Sequence, residues 1–585
     1  MPRILLRICC YLSLALSAHA ELTATFTSDG KSDTRRDRLP ALFVPAGQSP
    51  TPFLAPGPFA VTWSGTLVLK ERQRLYFSFA GRGSATLSLG DEEILTASDD
   101  LSGARSERIR LNPGEHPITI HYQSPAEGDA HFRLFWEERS FPSQSIPPTA
   151  FKPLEPSPKA NARIGRKLFA EAHCTKCHQA GSGFGPSPMP ELLEIAPVLG
   201  NSGHRLNPEW IAEWIAQPDK IKPGTTMPAL VDPETKSGRQ HASDLAAWVA
   251  SLKITPTPPA PDPSLATKGG AHFHQLGCIA CHSRPDAEPD RIPLNRIAAK
   301  YQPGALVEFL ENPAKWAPHT KMPDFKLTST QAEAIAAWLL KASKDGPKPA
   351  AFPPGNAARG QALAKSMNCG ACHAGSPLDL SQTPSLESII AADWSKSGCL
   401  TDQPELPNYA FSNPQIDHLL AFAKTEPSAS LTRHVPAEYA HRQLTTLRCN
   451  ACHDIDHQSA ILSQTHSETA DLIEHLTAPN EELDQSLPHL ILAGEMLHTR
   501  YLESMIAGHQ RARPWLDMKM PAFSSRAEPL ATGISHLHGI AANQPSATKI
   551  DPERAAIGKQ LVGTDGFGCN TCHAIGEKPA TAAFE

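Results

Sequence analysis

The chain has 585 residues, 40% of them hydrophobic and 19% charged, with a formal net charge of −6. Its length suits about four to six domains rather than one, and its composition excludes a wholly disordered chain. The acidic balance argues against a nucleic-acid binder, which needs a basic face. The 56 prolines exceed the usual ~5% share and cluster between segments, as linkers do.

In chain order, residues 1–20 read as a secretory signal peptide. Arg3 and Arg7 form a basic start, Ile8 to Ser17 a short apolar run, and Ala18-His19-Ala20 a small-x-small cleavage site. The run is shorter than the ~20 apolar residues a membrane anchor needs, and no later segment reaches that length. The mature protein is therefore expected to be soluble and periplasmic or otherwise extra-cytoplasmic, with no transmembrane segment.

Residues 21–155 contain no cysteine and alternate as β-strands do, at Leu75–Phe79, Ala85–Leu89, Ile118–Tyr122 and His131–Trp136. Turns are expected at Gly81–Gly83, Gly90-Asp91 and Asn112–Gly114. The stretch Phe59 to Gly65, the Asn112-Pro-Gly-Glu-His-Pro run and Ile146-Pro-Pro148 together resemble the β-sandwich domain of anthrax protective antigen, related forms of which occur in glycosidases and yeast adhesins. The resemblance implies carbohydrate or surface binding. Many glycan-binding members carry an acidic pair that helps to hold calcium. Here Gly81-Arg82-Gly83 takes its place, and Asp99 and Asp100 read as a solvated loop.

Of the thirteen cysteines, ten fall into five Cys-x-x-Cys-His patterns. These are Cys174-Thr-Lys-Cys177-His178, Cys278-Ile-Ala-Cys281-His282, Cys369-Gly-Ala-Cys372-His373, Cys449-Asn-Ala-Cys452-His453 and Cys569-Asn-Thr-Cys572-His573. The pattern is the attachment signature of haem c. Two thiols add to the haem vinyl groups, and the next imidazole lies under the iron. Structural zinc would bring cysteine pairs together in couples, and a thioredoxin-type site would need a βαβ setting. Neither fits pairs spaced about 80 to 120 residues apart, each in its own repeat.

A short helical run precedes each pattern. A small residue stands nine positions before the first cysteine in four repeats (Gly165, Gly269, Gly360, Ala440), and Gly558 lies eleven before in the fifth. Such a residue lets this helix cross another closely. Downstream, Thr226-Met227-Pro228, Lys321-Met322-Pro323 and Lys519-Met520-Pro521 match one another, and C-terminal helices carrying Trp248 and Trp338 follow the first two. The layout resembles tandem class I cytochromes c over roughly residues 156–585. The resemblance implies a fold of small all-α domains: 156–255, 262–346, 353–428, 436–545 and an incomplete 550–585. It also implies axial sulfur from Met227, Met322 and Met520 opposite His178, His282 and His453.

The third repeat reads Leu406-Pro407-Asn408-Tyr409 at the aligned loop and lacks the sulfur. Cys399 and His418 are the nearest substitutes, against bland readings as a buried thiol and a helix-surface histidine. The fifth repeat ends twelve residues after His573, as expected of a fragment of a longer protein. Pro-rich joints at Pro153–Pro158, Pro256–Pro263, Pro347–Pro354 and near Pro436 read as stiff spacers.

The fold class expected is thus a multidomain chain, an N-terminal all-β sandwich followed by tandem all-α cytochrome c domains. The function expected is an exported electron carrier between redox partner proteins, with polysaccharide as a partner of the sandwich. Two alternatives stand beside it. One is an enzyme reducing a small molecule such as peroxide at the haem without methionine, the other an electron-accepting subunit of a sugar-oxidising system.

Overall fold

A computed structural model of the chain describes residues 22–155, 161–180, 183, 188–373, 383–401, 403, 406–474, 487–512, 517–542, 550–573, 575 and 580. The signal-like residues 1–20 lie outside these. The chain divides into two units, Met1–Glu474 with Pro488–Ala542, and His475–Leu487 with Asn543–Glu585.

The first unit opens with ten strands: β1 (Leu22–Ser28), β2 (Lys31–Asp37), β3 (Ala41–Val44), β4 (Ala60–Leu69), β5 (Gln73–Leu89), β6 (Glu92–Asp100), β7 (Ile109–Leu111), β8 (Gly114–Gln123), β9 (Ala130–Glu138) and β10 (Phe141–Ser145). Seven run in the order β10-β9-β5-β8-β4-β1-β2; β3 pairs with β9, while β6 and β7 pair with β5. Alternation drives this. In β9 the side chains of Ala130, Phe132, Leu134 and Trp136 are buried while those between them are less so. Phe132 stacks on Trp63 at 5.4 Å and also meets Phe79 and Tyr122, forming an aromatic centre.

The turn expected at Gly81–Gly83 is not one. Residues 73–89 form a single 17-residue strand that pairs with β9 up to Arg82 and with β8 from Ser84. Gly81 and Gly83 sit at φ 144° and 127°, and a Cβ on them would collide with the His131 and Gln123 carbonyl oxygens. Glycine thus lets one strand pass from one partner to another. Asp99 and Asp100, read as a loop, end strand β6 instead.

The helical part contains α1 (Ala162–Glu171), α2 (Pro208–Ala216), α3 (Lys236–Ser251), α4 (Ala266–Gln275), α5 (Pro303–Glu311), α6 (Ser329–Ala342), α7 (Ala357–Ser366), α8 (Asn413–Ala423), α9 (Pro436–Thr446), α10 (Thr499–Ile506) and α11 (Ala527–Leu537). Four close crossings organise them. A Cβ on Gly269 in α4 would strike the Ala334 carbonyl oxygen and the Trp338 Cβ in α6. Gly360 in α7 meets the carbonyl of Asp244 and the Cβ of Trp248 in α3, and Gly165 in α1 meets the equivalent atoms of His418 and Phe422 in α8. In the fourth crossing the roles reverse, with Gly533 of α11 against Pro436 and Ala440 of α9.

Two of these crossings differ from a simple tandem. The first helix of the first repeat, α1, packs on α8 of the third, and α7 of the third packs on α3 of the first. The first and third repeats have exchanged C-terminal halves. The reason lies one residue before each glycine. Arg359 reaches the buried Asp244 with two bonds, at 2.7 and 2.8 Å. Ile164 stands at the corresponding place in α1, so contiguous packing would leave the Asp244 carboxylate without its guanidinium. His418 occupies the Asp244 position in the other crossing. The backbone amides of the helix caps Asn161 and Asn356 donate to His418 Nδ1 (2.9 Å) and Asp244 Oδ1 (2.7 Å) respectively.

The sandwich docks on this helical body through β2 and β3, whose neighbours are charged or aromatic. Arg35 bonds Asp37 at 2.7 Å and Glu438 of α9 at 3.2 Å, and Arg163 of α1 pairs with both Asp33 and Glu438. Trp63 donates its indole N–H to Asp37 at 2.9 Å. Arg38 pairs with Asp456, and Phe43 packs on His536 at 4.8 Å. Burial would raise the Glu438 pKa, but the guanidiniums of Arg163 and Arg35 hold it down to about 2. The Pro347–Pro354 joint also lies against a neighbour: Gln240 donates to the Pro354 carbonyl at 2.9 Å.

In the second unit, α12 (Pro552–Val562) precedes the Cys569 turn. None of its residues is buried, and Gly558 has open space where the other crossing glycines meet a carbonyl.

Two outcomes follow from the packing. Alanine in an open helix gains ~1 kcal/mol over glycine, yet Gly360→Ala is expected to lower stability by about 1–3 kcal/mol through overpacking; urea unfolding measures the sign. Glu438→Gln leaves two buried guanidiniums, Arg35 and Arg163, with only Asp37 and Asp33 to balance them and should cost about 3 kcal/mol at pH 7. Because the folded-state pKa of Glu438 is depressed, its contribution is complete above about pH 5 and fades as pH falls towards 2. Melting curves of both proteins across that range should therefore converge in acid.

Candidate functional site

All five Cys-x-x-Cys-His segments wind into the same turn. The residue before each first cysteine is left-handed: His173, Gly277, Asn368, Arg448 and Gly568, with φ between 56° and 69°. Each histidine amide then closes on the first cysteine's carbonyl, at 2.8, 3.0, 3.0, 2.9 and 2.9 Å in chain order. One such turn sets two thiols and an imidazole side by side, and none of the ten cysteines is in a disulfide.

The imidazoles are anchored from behind. Nδ1 of His178, His373 and His453 bonds the carbonyls of Pro384 (2.8 Å), Pro197 (2.7 Å) and Pro488 (2.7 Å). With Nδ1 donating, Nε2 keeps its lone pair for a metal, the second-shell arrangement usual for ligating histidines. The buried His282 ring lies against the Ile292 backbone, which plays the part of the proline carbonyls less closely. Burial holds His282 down to about 4 and also lowers His373 and His453, so these rings are neutral near pH 7. His573 is exposed. Free thiols and a repeated turn that ends on an imidazole fit haem c at each position.

The anchors follow the helix exchange. His178 rests on Pro384 from the third repeat, and His373 on Pro197 from the first. Met227 shares one apolar core with Trp210, Trp248 and Cys369, the first cysteine of the His373 repeat. The loop without sulfur, Leu406-Pro407, leads into α8, which packs on α1 of the Cys174 repeat. The bland reading of His418 also resolves: it serves the N-cap of α1, the opposite end of that helix from Cys174.

Sites are brought together in pairs by their loops. Ala229 and Asn408, each two residues beyond Met227 or Leu406, exchange backbone hydrogen bonds at 2.8 and 2.9 Å. Asp324 and Ala522, each two residues beyond Met322 or Met520, do the same at 3.0 and 2.7 Å. The attachment turns meet too. The Cys174–Cys177 turn packs on the Cys369–Cys372 turn, bringing the Cys177 and Cys372 thiols within reach of each other, and Cys281 lies within electrostatic reach of Cys449 and Cys452. The proximity of Cys372 eases ionisation of Cys177, while the proximity of Cys177 and burial push Cys372 up.

The two pairs also touch. His319, three residues before Met322, accepts the Ile195 amide at 3.1 Å and sits near His173, Lys176 and Arg526. Arg526 clamps this junction through Glu194 (2.8 Å) and the His319 carbonyl (2.9 Å).

Met227 and Met322 are half-buried, whereas Met520 is 40% exposed. Met518 is the buried methionine of that loop and approaches Gly277 beside Cys278. Met518, His319 and Tyr409 were not singled out in the sequence. For Tyr409 a signal existed, since it aligns with Leu230, Phe325 and Phe523 behind the loop prolines.

Residues 162–253 match the cytochrome c family model. They supply α1 with its Cys174 turn and α3, which belong to two different crossings in the folded chain. A curated relative, cytochrome c oxidase subunit 2 of Bacillus subtilis (strain 168), is 32% identical over 98 residues, covering 15% of this chain and 27% of its own length. The chain thus spans about a quarter of that relative. Solved structures similar to this one include a PA14 sugar-binding domain from an RTX adhesin (13% identity, 23% of this chain and 98% of that one, TM-score 0.20). Another is the PA14 domain of the MpAFP antifreeze protein (10%, 23% and 90%, TM-score 0.19). No helix among the described residues is long and apolar enough to cross a membrane.

The Cys177–Cys372 contact predicts the outcome of oxidising haem-free protein. Mild oxidant should join the peptides bearing these two residues, more readily as pH rises and thiolate accumulates. Peptide mapping by mass spectrometry reads the linkage; disulfides confined within each Cys-x-x-Cys would contradict the contact.

Proposed function

We propose that this chain is an exported multihaem electron carrier. Haem c is attached through Cys174 and Cys177, Cys278 and Cys281, Cys369 and Cys372, Cys449 and Cys452, and Cys569 and Cys572. His178, His282, His373, His453 and His573 are the proximal iron ligands. Met227 serves the His373 site, Met322 the His282 site and Met520 the His453 site. The observation that carries this reading is the repeated turn with its unpaired thiols and, at three positions, an imidazole braced by a proline carbonyl. Bound haem would supply a one-electron couple, and a His/Met ligand pair raises its potential and leaves no position for substrate.

The protein's own contribution is placement. Crossed loops and abutting turns set the first site beside the third and the second beside the fourth, and the His319–Arg526 junction links the pairs. Electrons enter from one redox partner protein and leave to another, passing between neighbouring sites without leaving the polypeptide. The sandwich, locked to α1 and α9 by buried ion pairs, is the part that docks on a surface or polysaccharide.

Expression with c-type maturation machinery tests the reading. Intact mass and a spectral haem count should give five haems, and Met227→Leu should abolish low-spin His/Met character at the haem peptide containing Cys369. A colourless protein would overturn the proposal. Loss of that signal from the Cys174 peptide instead would overturn the assignment of Met227.

A further inference from the structure

The three methionine loops differ in what stands behind the sulfur. In the first, the indole N–H of Trp214 donates to Met227 Sδ at 2.9 Å. Trp214 lies in α2, seven residues after the N-cap Asn207. The corresponding residues after the caps Gln302 and His498 are Phe309 of α5 and Met505 of α10. Neither side chain has an N–H or O–H to donate, so neither can repeat the contact at Met322 or Met520.

Donor and acceptor are each held by contacts of their own. Trp210 stacks on Trp214 at 5.3 Å, nearly parallel, and the Lys300 ammonium lies over the Trp210 ring at 5.0 Å. Arg296 bonds Glu213, the residue before Trp214, at 3.0 Å. On the other side, the Met227 amide donates to Thr225 Oγ1 at 3.4 Å, and the paired bonds between Ala229 and Asn408 fix the loop beyond it. Trp214 and Met227 both pack on the core that includes Trp248 and takes in Cys369. An indole turned over in this stack would fill the same space with its N–H aimed elsewhere. The orientation observed is the one that serves the sulfur.

We propose that Trp214 is the positioning residue of Met227, holding its sulfur through the indole N–H and raising the reduction potential at the His373 site. The inference rests on Met227 being the axial ligand there. A thioether sulfur carries two lone pairs, so one can take the N–H while the other faces the metal. The hydrogen bond thereby fixes how the sulfur is turned. It also draws density from the sulfur and points the positive end of the N–H dipole towards the site. Both effects disfavour the ferric state more than the ferrous, and the couple moves up.

The test is a redox titration of matured full-length protein. The component that Met227→Leu removes from the sulfur-ligated set marks the haem in question. Trp214→Phe keeps a ring in the stack and should leave that haem low-spin. Its one-electron equilibrium should shift towards the ferric state by about three- to tenfold, or ~30–60 mV. An unshifted or raised potential in the low-spin variant would overturn this inference alone. If the variant does not fold, exchange of the Trp214 indole hydrogen in wild type, followed by NMR, decides the matter. It should be slower than in Met227→Leu, and equal rates would overturn the inference. A Met227→Leu protein whose haems all keep their ligands would overturn the assignment of Met227, and this inference with it.

Discussion

The helical part of this protein depends on helices approaching closer than a side chain allows. In three of its four crossings a glycine on the N-terminal helix faces a backbone carbonyl and, four residues on, the Cβ of Trp248, Trp338 or Phe422. In the fourth, Gly533 provides the same clearance from the other side. In these four repeats the attachment turn begins three residues after its N-terminal helix, so the crossing fixes where the two thiols and imidazole stand. Anchors such as Pro197 and Pro384 then set the ring. The geometry of these four sites is thereby inherited from a contact between two backbones.

Because all four crossings share one geometry, they are nearly interchangeable, and specificity falls to a few polar contacts. Asp244 with Arg359 selects α7 as the partner of α3. Arg163, on α1, turns away to Asp33 and Glu438 and ties its helix to the sandwich. The same buried cluster therefore holds α1 in place and orients the β domain. Buried ion pairs of this kind contribute more to choosing one arrangement than to net stability.

Much of this was legible in the sequence. The attachment turns, the small residue nine positions before them and the alternation of β4, β5, β8 and β9 are local patterns, governed by residues within one turn or one strand. The helix exchange was not legible, since α1 carries the same glycine spacing as α7 and nothing within it names its partner. The matching acid, Asp244, stands more than a hundred residues from Arg359. The bend at Gly81 and Gly83 was misread for a related reason: glycines that end a strand and glycines that let it change partners look alike without the neighbouring carbonyls. The methionine loops were visible as motifs, but the crossed bridges at Ala229 and Asn408 were not, because they involve backbone atoms alone.

The exchange also sets a timetable for biosynthesis. Helix α1 is made early, yet α8 follows it by some 240 residues, on the order of ten seconds or more of translation. Throughout that interval α1 has the sandwich beside it, through Asp33, but not its helix partner, and its apolar stripe around Phe169 must stay off the similar surface of α3. Among the four crossings the Cys174 segment therefore waits longest for its partner helix, accessible to whatever modifies it before the last helices arrive.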